Sequence, residues 1–194
     1  MEGDEYLDLT IGDFLERLGT GRPAPGSGSA SALTVAFAAG LVTMVARRSS
    51  DSWEEAGGVA AQALALQARA APLVLADAQV WEEALTALDS AYGGAAPTGD
   101  LERKLELAAA VPLQIAEAAA DTARLAALAA EHGDGQYRAD AAAAAVLSAA
   151  AARAAAHLVA VNLAVREGDD SLESARISEA VAGEAATRAL EAAA

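Results

Sequence analysis

The stretch from Ser29 to Ala46 carries no charged residue and comes directly after a turn rich in proline and glycine. A helix without a charged face has no polar side to offer to water, so protein or lipid must cover it. Its length approaches the roughly 20 apolar residues of a membrane span. Ser31, Thr34 and Thr43 dilute it, however, and no second convincing span accompanies it. The pattern therefore favours a helix buried on all sides in a soluble oligomer over a membrane-spanning helix.

The composition indicates an all-α fold. Hydrophobic residues are 54% of the chain but aromatic residues only 4%, and the excess is mostly alanine, the strongest helix former. No run rich in Val, Ile and Thr alternates with period two, and no Asn-Gly turn is present. A chain of 194 residues is long enough for one buried core, so we predict a single domain over residues 1–194.

Start and stop signals divide the chain into about six helices. Thr10 and Asp13 resemble a capping box that opens the first helix, which ends near Leu18. Pro72 predicts a kink in one very long helix and Pro112 a bend in the next. The uncharged helix runs to about residue 48, and the others span residues about 53–92, 100–131, 137–166 and 171–192.

The charge and the absence of cysteine exclude several classes of function. The net charge is −15, with 13 Lys and Arg against 28 Asp and Glu, so the chain repels nucleic-acid phosphates and anionic lipids. We therefore expect neither nucleic acid nor membrane as a partner. Without cysteine there is no disulfide, thiolate nucleophile or cysteine-based metal site. The acidic start lacks the basic-then-apolar pattern of a secretory signal, and we expect a cytoplasmic protein.

Metal and nucleotide motifs are also missing from the sequence. His132 and His157 lie on different predicted helices without a partner at metal-ligand spacing, so we predict no metal site. Gly26-Ser-Gly lacks the lysine that would complete a P-loop, which argues against nucleotide hydrolysis.

The turn before the uncharged stretch is the first candidate site. It reads Arg-Pro-Ala-Pro-Gly-Ser-Gly-Ser from Arg22 to Ser29. Proline fixes the approach, glycine lets the backbone come close to a ligand, and Ser27 or Ser29 can cap the helix. The first amides of a helix carry partial positive charge and bind anions. The turn is therefore either a cradle for an anion or carboxylate, or only a capped helix start.

Asp140 is the only carboxylate between Tyr137 and Val165, and a long alanine run follows it. A carboxyl group in apolar surroundings is a candidate proton shuttle. Alternatively, it is an aspartate at a helix start that the helix dipole favours.

Other polar residues interrupt apolar stretches. A buried amide needs hydrogen-bond partners, so Asn162 either joins two helices or contacts a polar ligand. Asp77 poses the same choice, and we expect a surface position for it. Arg22, Arg47 and Arg48 bracket the uncharged helix and form either a local basic rim or solvated helix ends.

Taken in order along the chain, these residues resemble the cyclodeaminase/cyclohydrolase family. This family comprises the cyclodeaminase domain of formiminotransferase-cyclodeaminase and the bacterial methenyltetrahydrofolate cyclohydrolases. The segment from Pro23 to Ser29 is similar to the family's Pro-x-Pro-Gly-Gly-Gly-Ser. Further matches are Phe14-Leu15, Met44-Val45, Asp77 with Trp81, Val111-Pro-Leu with Ala116-Glu117, Asp140, and Asn162-Leu163. The resemblance covers nearly the whole chain.

The resemblance implies an all-α, mainly antiparallel bundle that forms a homodimer through long helices. It also implies a reduced folate as the small-molecule substrate near the glycine-rich turn, and no cofactor. The chemistry would be ring closure with loss of ammonia or hydration of the methenyl bridge. Asp140 would shuttle the proton and Asn162 would orient the substrate. The substrate-binding candidates are Arg22, Pro25, Gly26, Ser27, Gly28, Ser29, Asp77 and Arg138.

Three functions stay open at this point. The first is a folate one-carbon enzyme of the cyclohydrolase or cyclodeaminase type. The second is a relative that carries out acid–base chemistry on another small molecule; the replacement of the family's basic segment by Ser49–Glu55 favours it. The third is a non-catalytic helical dimer that binds a ligand or a partner.

Overall fold

A computed structural model describes residues 6–20, 24–92, 98–163 and 169–194. Within these ranges the chain forms seven α-helices, two short 3₁₀-helices and no strand, which confirms the all-α prediction. The α-helices are α1 (Ile11–Gly19), α2 (Ser27–Arg48), α3 (Ala56–Ala70), α4 (Leu73–Tyr92), α5 (Thr98–His132), α6 (Arg138–Asn162) and α7 (Asp170–Ala193). The 3₁₀-helices are Tyr6–Asp8 and Gly135–Tyr137.

The first helix starts as its capping signal predicts. The Thr10 hydroxyl accepts a hydrogen bond from the Asp13 backbone N–H at 3.1 Å and donates one to the Asp13 carboxylate at 2.6 Å. Phe14 is the buried side chain of α1, and its ring meets the Tyr6 ring edge-on at 6.1 Å between centroids. These two aromatic residues attach the N-terminal segment to the body of the protein.

Pro72 and Pro112, both predicted to lie within helices, have different effects on the fold. The helix predicted over residues 53–92 is in fact two helices, because α3 ends at Ala70 and α4 begins at Leu73, on either side of Pro72. Proline lacks the N–H that would continue the ladder and its ring clashes with the preceding turn. The count of helices is therefore seven instead of about six. At Pro112, by contrast, α5 continues without a break.

Helices α5, α6 and α7 pack against one another along their lengths. The connection between α5 and α6 is only residues 133–137, so these two helices run antiparallel. Arg188 near the end of α7 forms a bidentate ion pair with Glu131 near the end of α5, with the shortest N–O distance at 2.8 Å. Helix α7 therefore runs parallel to α5 and antiparallel to α6.

Helix α2 lies against α3, α4, α5 and α6. The Ser49 hydroxyl, just after α2, accepts a hydrogen bond from the Asp134 N–H at 2.9 Å, so α2 and α5 end at the same end of the molecule. Alanine supplies most of the core, and the largest fully buried side chains are only valine and isoleucine in size. Small side chains let these helices approach closely.

Within one chain the uncharged helix is largely buried but leaves one side exposed, so its burial on all sides in an oligomer stays a prediction. Phe37 is 50% exposed and Met44 is 37% exposed, while Leu33 and Leu41 are half-buried. These positions recur at helical spacing and form one apolar stripe along α2. Among the residues that the structure describes, none covers Phe37 and Met44 of this stripe completely.

Within the described ranges of the chain, three stretches are long and apolar enough to cross a membrane by length and hydropathy, which corrects the expectation that α2 stands alone. They are Ser27–Arg48, Ala56–Ala91 and Gly135–Asn162, with 61%, 33% and 44% of their most apolar windows buried inside the protein. The second and third stretches were not recognised from the sequence as possible membrane spans, because their hydropathy comes mainly from alanine spread over many positions.

Candidate functional site

The glycine-rich turn leads into α2, but neither serine caps the helix. Gly26 is the N-cap residue, with an extended backbone and no side-chain hydrogen bond, and Ser27 and Ser29 lie inside the first turn. Ser27 is exposed, whereas Pro25, Gly28 and Ser29 are buried. The prediction that Ser27 or Ser29 caps α2 is therefore wrong, because the N-cap position is Gly26, which precedes both serines.

A carboxylate from another helix occupies this helix start. Asp77 of α4 is only 9% exposed, which corrects the expected surface position. Its Oδ2 lies 3.4 Å from the Ser29 hydroxyl, which also donates to the Val74 carbonyl at 2.8 Å. A Cβ atom added to Gly28 would overlap the Asp77 carboxylate, so glycine is required for this approach. The anion cradle predicted from the sequence thus holds a carboxylate of the chain itself.

The environment of Asp77 makes it a candidate acid–base group. Burial raises the pKa of Asp77 above its ordinary value of 3.8, and hydrogen bonds from the backbone and the hydroxyl of Ser29 partly oppose this rise. A carboxyl group that holds its proton more tightly than usual, beside helix-start amides, can donate or accept a proton in catalysis.

A groove lies at the other end of α2, where it packs on α3. It has a volume of about 500 Å³ and is lined by Gly40, Thr43, Met44, Arg47, Arg48, Leu64 and Gln67, and we call it the α2–α3 groove. The Gln67 amide donates to the Ala36 carbonyl at 3.3 Å. The Arg48 guanidinium lies 5.9 Å from the centre of the Tyr137 ring. Among the residues that the structure describes, no carboxylate forms an ion pair with Arg47 or Arg48.

The charge of this groove distinguishes it from the rest of the protein. Helices α2 and α3 contain no Asp or Glu, although the chain as a whole carries a net charge of −15. The groove therefore offers an apolar floor with two guanidinium groups, which suits an anionic ligand with an apolar body. A second cavity of about 410 Å³ is lined by Glu106, Glu117 and Asp169 and would repel such a ligand. The sequence analysis raised Arg47 and Arg48 as a local basic rim or solvated helix ends, and the structure places both at the groove. It did not predict the groove itself, for which the available signal was the lack of acidic residues across both helices.

Asp140 and Arg138 lie in the first turn of α6, near the groove end of the molecule. Asp140 is half-buried there, a position that the helix dipole favours for a carboxylate. The Arg138 Nε donates to the Gly133 carbonyl at 3.3 Å, which ties this side chain to the connection from α5. Both roles predicted for Asp140, proton shuttle and helix-start aspartate, are compatible with this position.

Asn162 lies in the last turn of α6, and its side chain joins α6 to α5. The amide Nδ2 donates to the Ala108 carbonyl at 2.7 Å, and the residue is only 7% exposed. This contact corresponds to the helix-joining alternative raised from the sequence. The role of Asn162 in orienting a substrate stays a prediction.

The predicted site residues do not all meet within one chain. Asp140 and Asn162 are 22 residues apart on one continuous helix, which places them about 33 Å apart. Gly28 and Met44 are separated along α2 by about 24 Å in the same way. Ser29 and Asp77 lie at one end of the molecule, and Asp140 and the α2–α3 groove lie at the other end. Arg22 lies outside the described residues.

No metal centre is apparent in the parts of the chain that the structure describes. Within them, no group of three or more His, Cys, Asp or Glu side chains comes together. The two ends of α2 are the candidate sites on the geometry above, one built around the buried Asp77 carboxyl group and the other around Arg47 and Arg48.

A family model and a solved structure both match the chain. The model of the formiminotransferase-cyclodeaminase family matches residues 10–182, a span that includes the glycine-rich turn, Asp77, Asp140 and Asn162. The crystal structure of formiminotetrahydrofolate cyclodeaminase from Thermotoga maritima is similar, with a TM-score of 0.86 and 22% sequence identity over 96% of each chain. At this identity the likeness demonstrates a shared fold. No curated protein sequence matches the chain.

Proposed function

The chain belongs to the formiminotransferase-cyclodeaminase family, and we propose that it is a folate one-carbon enzyme of the cyclodeaminase or cyclohydrolase type. The observation that carries this proposal is the family match over residues 10–182, which includes both ends of α2 and both catalytic candidates. We expect a cytoplasmic enzyme that uses a reduced folate and needs no other cofactor.

The α2–α3 groove supports a folate as the ligand. A reduced folate has a ring system that packs on apolar side chains and a glutamate tail that carries carboxylates. Met44 and Leu64 offer the apolar surface, and Arg47 and Arg48 offer charge-assisted hydrogen bonds to carboxylates. Since most of the surface is acidic, these two arginines also determine where an anion can approach.

The chemistry requires one proton to move between two heteroatoms on the same carbon. In hydration, water adds to the methenyl carbon and loses a proton; the new hydroxyl then gives its proton to one folate nitrogen as the bond from carbon to that nitrogen breaks. In cyclodeamination, a folate nitrogen attacks the formimino carbon and loses its proton, and the amino group gains a proton and leaves as ammonia. A single carboxyl group can serve in both directions. Asp140 is the proposed shuttle.

A second copy of the chain would complete this site. The apolar stripe of α2 is uncharged from end to end, so two copies can pair along it without repulsion between acidic residues. Phe37, at the middle of α2, would lie near a two-fold axis. In such an antiparallel pair the Ser29–Asp77 end of one chain lies against the groove and Asp140 of its partner. The homodimer therefore brings together residues that one chain keeps apart.

A complementation experiment tests the shared site. Asp140→Asn and Asp77→Asn are made separately, and each is expected to have low activity. When the two are mixed and allowed to exchange subunits, half of the dimers contain one chain of each kind, and one of their two sites is intact. Activity should then recover to about a quarter of the wild-type value. If each site lies within a single chain, mixing restores nothing.

A binding titration tests the substrate class. Tetrahydrofolate is titrated into the wild-type protein, with a folate analogue that lacks the glutamate tail as the comparison. We expect binding to tetrahydrofolate and weaker binding to the analogue, because the analogue leaves Arg47 and Arg48 without partners. Equal affinity for both compounds would contradict the role of the arginines, and no binding to either would contradict the substrate class.

A further inference from the structure

Gln67 lines the α2–α3 groove with an amide whose hydrogen-bonding capacity is only partly used. Its Nε2 donates to the Ala36 carbonyl at 3.3 Å. Because a carbonyl oxygen can only accept, this bond fixes which way round the amide lies and directs Oε1 away from α2. No residue that the structure describes bonds Oε1. This oxygen is open to solvent, since no buried side-chain oxygen of the described residues lacks a hydrogen bond.

Gly40 allows the Gln67 amide to lie this close to α2. A Cβ atom added to Gly40 would come within 3.2 Å of the Gln67 Nε2, which is closer than an ordinary contact. Glycine inside a helix is unfavourable compared with alanine, and here it makes room for the amide. The amide is thus held in one orientation and one place, as a group that selects a ligand must be.

The polar groups of the groove differ between its two ends. Arg47 and Arg48, in the last turn of α2, carry only N–H groups and can only donate. Gly40, beside the Gln67 amide, lies seven residues before Arg47, or about 10 Å along the helix. Thr43, between them, uses its hydroxyl proton within α2. The groove therefore offers charged donors at one end and a fixed carbonyl oxygen at the other.

A reduced folate has a matching polarity from end to end. Its glutamate tail carries carboxylates, which only accept hydrogen bonds. The far edge of its pterin ring carries an amino group at C2, which donates, and C2 lies diagonally across the fused rings from the carbon that bears the tail. A folate that lies along the groove with its carboxylates at the arginines therefore has its 2-amino group toward Gln67.

We propose that Gln67 determines the specificity of the α2–α3 groove by accepting a hydrogen bond from the 2-amino group of the pterin ring at Oε1. This inference rests on the proposed function, because it takes a reduced folate as the ligand of the groove. It adds the direction of the ligand, with the pterin ring toward Gly40 and the glutamate tail toward Arg47 and Arg48. A ligand without a donor at C2 would cover the Gln67 oxygen and leave it unpaired, which weakens binding.

A pair of glutamine variants on α3 tests this contact. Gln67→Met keeps roughly the length of the side chain and removes the oxygen. Gln62→Met is the matched control, because the Gln62 amide also donates to a backbone carbonyl, that of Gly58 at 3.3 Å, but does not line the groove. Each protein is titrated with tetrahydrofolate and with an analogue in which a methyl group replaces the 2-amino group.

The ratio of the two dissociation constants within each protein is the measured quantity. We expect wild type and Gln62→Met to bind tetrahydrofolate about tenfold more tightly than the methyl analogue, the effect of one hydrogen bond to an otherwise unpaired oxygen. Gln67→Met should bind the two compounds equally. Because both ligands are measured on the same protein, a change in its stability affects both constants and cancels in the ratio.

Gly40→Ala provides a second test that leaves Gln67 in place. The new Cβ presses against the Gln67 Nε2, so the amide must shift. The preference for the 2-amino group should then fall below that of wild type, although alanine is the better helix former. A purely structural role of Gln67 would leave this preference unchanged in both Gly40→Ala and Gln67→Met.

The results separate this inference from the proposed function. A wild-type protein that binds neither compound overturns the folate assignment and the role of Gln67 together. A wild type that binds both compounds equally, or a Gln67→Met protein that keeps the wild-type preference for the 2-amino group, overturns the role of Gln67 and leaves the folate assignment standing.

Discussion

Asn162 donates a hydrogen bond to the one carbonyl oxygen that Pro112 leaves without a helical partner. In an α-helix the N–H of residue 112 would donate to the carbonyl of Ala108, four residues earlier, and proline has no N–H. The Asn162 Nδ2 takes its place at 2.7 Å from that oxygen. This contact explains how α5 passes through Pro112 without a break and why a polar side chain is buried at the end of α6.

The first prediction concerns this pair. Asn162→Ala should lower the free energy of unfolding by about 1–3 kcal/mol, because it leaves the buried Ala108 carbonyl without a partner. Pro112→Ala restores an N–H at position 112, so the double variant should lose less stability than the sum of the two single variants. Denaturant unfolding of all four proteins measures this coupling.

The same variants distinguish a structural role of Asn162 from a catalytic one. If Asn162 acts only by holding the two helices, the double variant recovers activity together with stability. A double variant that is stable but inactive would indicate that the Asn162 amide also orients the substrate.

The second prediction concerns Gly28. Gly28→Ala should destabilise the protein by about 1–3 kcal/mol, because the new Cβ overlaps the Asp77 carboxylate. Gly183→Ala in α7 is the matched control: nothing lies within 4 Å of its new Cβ, and alanine at an unhindered helix position should add about 0.5–1 kcal/mol. Thermal unfolding tests both. A Gly28→Ala protein as stable as wild type would mean that Asp77 moves away at no cost.

The third prediction concerns the pH dependence of stability. Because burial raises the pKa of Asp77 above 3.8, the folded state holds this proton more tightly than the unfolded state. The contribution of Asp77 to stability is therefore fully present below pH 3.8 and is lost as the pH rises through the folded-state pKa. Asp77→Asn removes this dependence, so the stability of the variant relative to wild type should increase as the pH rises from 3.8.

Denaturant unfolding of wild type and Asp77→Asn over a series of pH values measures this difference. A difference that stays constant, or that shifts in favour of wild type as the pH rises, would show that the pKa of Asp77 is not raised. Since both proteins contain the same other titratable groups, their effects largely cancel in the comparison.

The fourth prediction concerns the α2–α3 groove. Arg47→Ala and Arg48→Ala should each weaken folate binding by about tenfold, the loss expected for one charge-assisted hydrogen bond to a carboxylate. Arg153→Ala is the control, because this side chain is 83% exposed on α6 and lies outside the groove. Isothermal titration at two salt concentrations provides the measurement. Equal losses for all three variants would point to the overall charge of the protein as the cause.

Local signals in the sequence predicted much of the fold. The Thr10–Asp13 cap and the uncharged stretch each act within a few residues, and each gave a helix close to its observed place. At Pro72 the sequence predicted only a kink, whereas the structure has two separate helices. Burial of α2 on all sides was predicted for an oligomer, and the sequence did not reveal which side of this helix stays exposed within one chain, because hydropathy does not distinguish a side that faces the core from one that faces a partner. The seventh helix was missed because a proline that ends a helix and one that only bends it look alike in sequence.

Tertiary contacts could not be predicted in the same way. Gly28 and Asp77 were both recognised as candidates. Nothing in the sequence indicates that they touch, because 48 residues on several helices separate them. The hydrogen bond from the Asn162 amide to the Ala108 carbonyl, which takes the place of the one that Pro112 cannot donate, likewise joins residues on two helices. Arg47 and Arg48 were recognised as a candidate basic rim, but the α2–α3 groove was missed because its other lining residues lie on a separate helix and are brought to the arginines only by packing.

Turnover of methenyltetrahydrofolate and formiminotetrahydrofolate by the purified protein, measured beside Asp140→Asn, tests the proposed function most directly. Wild type should convert at least one of them, and Asp140→Asn should be slower by roughly 10²–10⁴-fold while it remains folded, because asparagine keeps the size of the side chain but cannot carry the proton. A wild-type protein inert towards both compounds would contradict the account, and an active wild type with an unimpaired Asp140→Asn variant would remove Asp140 from the mechanism.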